Sequence, residues 1–259
     1  MAQAPKPEPK DGERLQVVLA RFGIASRRGV VTLIEDGKVE VNGKVVLEKG
    51  FRVAATKDTL RVDGEDLSTG PLKKVYYAFN KPKGVMTTLQ DPHAESTVAD
   101  FFKDVSERVF PVGRLDRDTT GLLILTNDGE LAFRLTHPKF GVPKRYHALV
   151  TGSVTDAEIK QLEAGVELEE GMTAPCKIQI ERKDRRHTEL FVILHEGKKR
   201  QIRRIFELVG HRVVELERVN YGPLDLGDLD SGEKRPLSPK EVRGLYDATG
   251  AKSGKSDGR

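Results

Sequence analysis

The feature that most constrains this chain is a short apolar run, Leu122, Leu123, Ile124 and Leu125, set directly after a polar stretch bounded by glycines, GRLDRDTTG at residues 113–121. Four consecutive aliphatic side chains leave no face for water, so the run reads as a strand covered on both sides, within a sheet. A charged loop abutting such a strand is a natural place for a site, because the strand holds it rigidly.

Other short runs rich in β-branched and aromatic residues have the same character: VYYAF at 75–79, YHALV at 146–150, CKIQI at 176–180 and LFVIL at 190–194. Helices are interposed. Thr155 and Glu158 form a capping box before Ile159 and Leu162, and Ser238, Pro239 and Glu241 do the same before Val242 and Leu245. A third helix carries Ile202, Ile205, Phe206 and Val209 on one face and stops at Gly210, while Arg200, Arg203, Arg204 and Glu207 share the adjacent stripe. There is no internal repeat and no regular strand–helix alternation, which predicts an α+β domain on a mostly antiparallel sheet.

Ahead of it stands a smaller module. Leu15, Val18, Leu19 and Phe22 fall on one helical face with Gly23 as a stop; Ser26 caps a second helix bearing Val30, Leu33 and Ile34, ended by Gly37. The sequence KVEVNGKVV then alternates about an Asn42-Gly43 turn, a strong hairpin signal, and Asp63-Gly64 marks another turn. The expected organisation is a disordered tail over residues 1–12, this small domain over 13–68, a linker over 69–74, the larger α+β domain over 75–246, and a second disordered tail over 247–259.

Several classes are excluded. A single cysteine, Cys176, cannot form an intramolecular disulfide, and the six histidines show no zinc-ligand spacing with it. No glycine-rich nucleotide loop opens a helix, and no apolar tract approaches the roughly 20 residues of a membrane span. A protein of the reducing cytoplasm is expected. The net charge is only +4, so any polyanion-binding surface must be local.

Two such surfaces stand out. Lys198, Lys199, Arg200, Arg203 and Arg204 place five basic residues within seven positions at a helix start, and Arg14, Arg21, Arg27, Arg28 and Lys38 gather in the first module. Each can be an ordinary solvated face paired with nearby acids; two in one small protein favour nucleic acid. In the 113–121 loop the plain reading is a solvated turn in which Asp116 and Asp118 pair with Arg114 and Arg117. Two sharper readings are a metal-holding pair of aspartates and a nucleophilic aspartate kept ionised by an arginine. Spacing alone does not choose among them.

The stretches VGRLDRDTTGLLILTNDGEL, KRYHALV and EGKKRQIRRIFELVGHRVVELERVNYGPL closely resemble the bacterial ribosomal pseudouridine synthases of the small-subunit type, nearer to their large-subunit members. The leading RLQVVLARFGIASRRGVVTLIEDGKVEVNG resembles the S4 RNA-binding domain that precedes their catalytic domain. The resemblance implies a uridine-isomerising enzyme on ribosomal RNA or an assembling subunit, with no metal or cofactor, acting as a monomer. It implies Asp116 as nucleophile, Tyr146 stacked on the target uracil, Arg203 paired with Asp116, Arg114 handling the flipped nucleotide and Ile202 beneath the base. Asn80, Lys81, Pro82 and Gly84 resemble the family's KPxG segment, with a structural or RNA-contact role. One departure is Gly29, where such S4 domains carry a helix-forming acid.

The main rival is an S4-type RNA-binding or assembly protein whose second domain has lost catalysis; Asp116, Tyr146 and Arg203 together speak against it. An S4-linked methyltransferase lacks its glycine-rich cofactor loop here. A glycosidase using Asp116 and Asp118 leaves both basic surfaces without a role.

Overall fold

The computed structural model describes residues 12–55, 57–67, 73–89 and 91–250, and the chain divides into two compact units between Lys74 and Val75. The expected first tail, most of the expected linker and residues 251–259 therefore lie outside the described residues.

In the first unit, α1 (Leu15–Arg21) and α2 (Arg27–Glu35) bury Leu15, Val18 and Leu19 with Val30 and Ile34. The side chain of Ser26 accepts the Gly29 amide at 3.0 Å, and a Cβ at position 29 would press on Ala25 Cβ at 3.1 Å, so glycine suits this crowded first turn. Strands β1 (Val39–Val41) and β2 (Lys44–Val45) form the hairpin at Asn42-Gly43, and β3 (Leu60–Val62) pairs with β1. Asn42 adopts the left-handed φ of 52° that the turn needs, and its side chain accepts the Thr59 amide at 3.0 Å, tying the turn to the start of β3.

The second unit is built on one mixed sheet. Its elements are β4 (Tyr76–Lys81), β5 (Thr120–Thr126), α3 (Gly129–Thr136), β6 (Lys144–Thr151), α4 (Asp156–Ala164), β7 (Lys177–Lys183), β8 (His187–Leu194), α5 (Gln201–Leu208), β9 (Val213–Tyr221), β10 (Lys234–Pro236) and α6 (Pro239–Asp247). The strands run in the order β7-β8-β6-β9-β5-β4-β10. Neighbours along this path are antiparallel except β9 and β5, which meet in parallel at Glu217–Thr120 and Arg218–Gly121.

Helices α4 and α5 cover one half of the sheet, burying Leu162, Ile202, Ile205 and Phe206 with Ala148, Val192 and Leu216; α3 and α6 pack Leu131, Leu135 and Leu245 with Leu122 and Ile124. Leu123 and Leu125 point the other way, into a cluster with Phe79, Val98 and Phe102. The apolar run is thus covered on both faces.

One element was missed in the sequence and one expectation needs correction. Strand β9 falls in VVELERVNY, which shows no clean alternation, and it lies in the middle of the sheet. At the C-terminal end, α6 continues through Asp247 and Thr249 is buried, its hydroxyl donating to the Tyr246 carbonyl at 2.7 Å, so residues 247–250 belong to the folded unit and not to a tail. Among the described residues no helix is long and apolar enough to cross a membrane.

Candidate active site

The junction of β5 and β9 is unusually close, and Gly121 makes it possible. Its φ of 96° is left-handed, and an added Cβ would fall 2.8 Å from the Arg218 nitrogen and against the Arg218 carbonyl oxygen. The 113–121 loop is thereby held at the end of β5, beside the middle of β9.

A second segment clamps the same loop from its other side. Thr87 Oγ1 donates to the Leu115 carbonyl at 2.7 Å and accepts the Leu115 amide at 3.2 Å, while the Gly84 amide donates to the Arg117 carbonyl at 2.9 Å. Lys81 is fully buried, and its ammonium donates to the carbonyls of Pro82 at 2.9 Å, Val85 at 2.8 Å and Arg117 at 3.4 Å. Burial lowers this ammonium to about 8, against the opposing pull of Asp116 and Asp118. Lys81 and Gly84 of the KPxG segment thus fix the backbone after Asp116 and Thr87 fixes the backbone before it, a structural service for which the Lys81 ammonium is buried.

Asp116 opens onto a cavity of about 330 Å³, whose wall also holds Arg114, Tyr146, Arg200 and Ile202. Tyr146 lies on β6 and Ile202 on α5, so one polar loop, one strand and one helix converge. The nearest cation to the carboxylate is Arg200, with Nη1 3.9 Å from Asp116 Oδ2. Arg200 caps α5 with a left-handed φ of 50°, an unusual backbone state for a side-chain-bearing residue.

Arg203 is placed differently from its expected role. Its guanidinium donates to the backbone carbonyls of Val213 at 3.0 Å and Asp118 at 3.2 Å, and it forms no ion pair with Asp116. Burial and the Arg200 charge bias it downward, with Asp118 and Asp116 acting in the opposite sense. It braces the loop against β9, and the cation beside the carboxylate is Arg200.

The basic stripe on α5 is also reduced. Arg204 pairs with Glu170 at 2.6 Å, and Lys198 donates to the carbonyls of Glu170 and Gly171 at 3.0 and 3.2 Å. Lys199 and Arg200 remain exposed on the cavity rim. In the first unit, Arg21 is held by Glu13 at 3.0 Å and Lys38 by Asp63 at 3.5 Å, whereas Arg14, Arg27 and Arg28 line a groove of about 330 Å³ with Gln16.

Sequence reasoning missed Lys144, Leu216, Arg218 and Tyr221, all in the cavity wall. Strand parity was the available signal: Lys144 shares a face with Tyr146, and Leu216 with Arg218. On the opposite face of β6 from Tyr146, His147 lies 2.9 Å from Glu189 and 3.5 Å from Glu181, a trio whose ligand atoms fall within 4.8 Å of one another. Arg182 also reaches Glu189, at 3.6 Å, so the trio is an ion-pair cluster away from the cavity.

The sheet thus carries an aspartate, a tyrosine and an aliphatic wall around one cavity lined by several lysines and arginines, with a separate small unit ahead of it in the chain. The chain belongs to the RNA pseudouridylate synthase family, whose model matches residues 75–208, with an S4 domain matched over residues 13–59. It is 46% identical over 235 residues to ribosomal large subunit pseudouridine synthase B of Bacillus subtilis (strain 168), covering 90% of this chain and 95% of that one. An uncharacterized RNA pseudouridine synthase of Aquifex aeolicus (strain VF5) is 43% identical, over 92% of this chain and 96% of that protein. Among solved structures, a pseudouridylate synthase crystal structure superposes with a TM-score of 0.65 at 28% identity, over 90% of this chain and 99% of that one. The activity is accordingly isomerisation of uridine within RNA.

Proposed function

We propose that this protein converts one uridine of large-subunit ribosomal RNA to pseudouridine in the cytoplasm, as a monomer, with Asp116 as nucleophile. The observation that carries the reading is the Asp116 carboxylate, 3.9 Å from Arg200 in the wall of a cavity that Tyr146 and Ile202 also line. The name of the Bacillus subtilis relative supports the choice of ribosomal subunit.

Isomerisation breaks the N1–C1′ bond, turns the uracil and joins C5 to C1′, so the hydrogen at C5 leaves as a proton and N1 gains one. The base must first leave its stack, at a cost of a few kcal/mol, and then be gripped so that it is not lost once detached. Tyr146 supplies a flat face and Ile202 a buried aliphatic wall for that grip. Arg114, exposed on the rim, stands where the sugar–phosphate chain of a flipped nucleotide passes. The 13–68 unit docks on structured RNA through phosphates and shape, using Arg14, Arg27 and Arg28, and the 75–250 unit performs the chemistry.

The test is tritium release from C5-labelled uridine in transcripts of both ribosomal RNAs and in immature subunits, wild type beside Asp116→Asn. Release from the large-subunit RNA or particle that disappears in the variant is expected. Release retained by Asp116→Asn overturns the nucleophile, and release from the small-subunit RNA alone overturns the choice of target.

A further inference from the structure

Among the described residues, two buried cations that line the cavity have no counter-ion. Lys144 is 7% and Arg218 3% exposed, on the adjacent strands β6 and β9, and both line the cavity that holds Asp116. The Tyr221 ring lies against both, 5.3 Å from the Lys144 ammonium and 4.9 Å from the Arg218 guanidinium. Arg218 spends Nε on the Leu122 carbonyl at 2.7 Å, and its buried Nη2 has no hydrogen-bond partner.

The acids of the cavity are engaged elsewhere. Asp116 faces Arg200, and Glu196 accepts the Ala174 amide at 2.8 Å and the Gln201 side-chain amide at 2.7 Å. Among the described residues neither Lys144 nor Arg218 forms an ion pair. Burial, with Arg218 close by, holds the Lys144 ammonium down to about 8. Buried charge without a partner is costly, and a fold tolerates it where a ligand supplies the missing charge.

We propose that Lys144 and Arg218 together form the site that receives the negative charge of the uracil ring during its detachment. This rests on the reading of the cavity as the uridine site. When N1–C1′ breaks, N1 keeps the bonding pair and C1′ passes to the Asp116 carboxylate, so the ring carries one negative charge spread over N1 and both carbonyl oxygens. When C5 then bonds to C1′, the carboxylate leaves with its electrons, the C5 proton is lost and N1 is protonated. The ring is anionic only while it is free to turn, and two fixed cations beneath it both lower the barrier and prevent its escape.

Depth decides between base and phosphate. A flipped nucleotide enters base first, and its phosphates must lead back out to the polymer. The phosphates therefore meet the exposed Arg114 and Lys199 at the rim, while the buried pair meets the base. The pair is catalytic in the strict sense, since it touches the reacting ring.

The experiment compares wild type, Lys144→Met, Lys144→Arg and Arg218→Lys in single-turnover tritium release from the transcript that wild type modifies, together with RNA affinity at several salt concentrations and thermal unfolding. Lys144→Met is expected to lower the saturating rate about 100-fold, the scale of one lost transition-state contact. RNA affinity and its salt dependence should stay unchanged, and Tm should not fall, because the variant removes an uncompensated buried charge. Lys144→Arg, which keeps the charge, should recover part of the rate lost in Lys144→Met, and Arg218→Lys should retain more of the wild-type rate than Lys144→Met does. A saturating rate equal to wild type overturns the proposal. So does an unchanged rate with weaker binding and a salt slope smaller by about one, which identifies the pair as a phosphate contact. Lowered Tm with no recovery by the charge-keeping variants assigns the pair a structural role and likewise overturns it. Failure of the uridine reading is separate and visible: wild type itself then releases no tritium from any ribosomal substrate.

Discussion

Arg200 stands 3.9 Å from the Asp116 carboxylate and reaches it from a backbone held at φ 50°, so the cation beside this carboxylate is positioned by a conformation that side-chain-bearing residues avoid. That state costs on the order of 1 kcal/mol for a residue with a Cβ. Arg200→Gly should therefore raise Tm by a few degrees while lowering the rate of tritium release at least tenfold, with Arg200→Lys intermediate in rate. Thermal unfolding beside single-turnover kinetics checks both signs; a Tm that drops shows that the backbone there is not strained.

Thr87 satisfies both backbone groups of Leu115, the residue next to Asp116. Thr87→Val keeps the shape and strands one partly buried N–H and one C=O, a loss of about 1–3 kcal/mol. Because the loop carries Asp116, the rate should fall more than RNA affinity. Equal losses in the two would mean that the clamp serves binding and not the geometry of the carboxylate.

The arginines and lysines of the first unit should separate into two groups. Arg14→Ala, Arg27→Ala and Arg28→Ala are expected to weaken RNA binding and to reduce the salt slope by about one each. Arg21 and Lys38 are paired with Glu13 and Asp63, so their replacement should change affinity little. Equilibrium binding at three salt concentrations measures this, and a large effect of Lys38→Ala would show that its pairing with Asp63 is broken in the complex.

Lys144 gives the stability a predictable pH dependence. Its ammonium sits at about 8 in the folded chain and at 10.5 in a free side chain, so between these values the unfolded chain binds more protons and stability rises with pH. Below about pH 8 the folded state carries the full cost of the buried charge, roughly a few kcal/mol. Lys144→Met should thus be more stable than wild type at pH 7, with the difference shrinking between about pH 8 and 10.5. Denaturant unfolding across that range tests it; a constant difference would place the ammonium in a solvated position.

Much of the architecture was legible because it rests on local chemistry. The Asn42-Gly43 hairpin follows from two residues that tolerate left-handed φ, the starts of α4 and α6 from their capping boxes, and the buried strand β5 from four aliphatic residues in succession. The loop bearing Asp116 was legible as well, through its polarity beside that strand. Strand β9 was not. Its alternation is broken by Glu215, Glu217 and Arg218, and Arg218 is buried because it faces the cavity and not because it is apolar.

The sequence by itself determined most of the elements, the two-part organisation and the polar loop beside β5, since hydrophobic period, capping and turn chemistry act over a few residues, whereas Tyr146 and Ile202 were singled out only through the family resemblance. Only the tertiary structure decided which charges are free. Arg203 was expected at the carboxylate but is spent on two backbone carbonyls, Arg204 is neutralised by Glu170 from 34 residues away, and Arg200 takes the place beside Asp116. Lys144 and Arg218, 74 positions apart, meet beneath the cavity because β6 pairs with β9. Whether a charge is paired, buried or available depends on neighbours brought together by strand order, and strand order is set by the packing of the whole sheet.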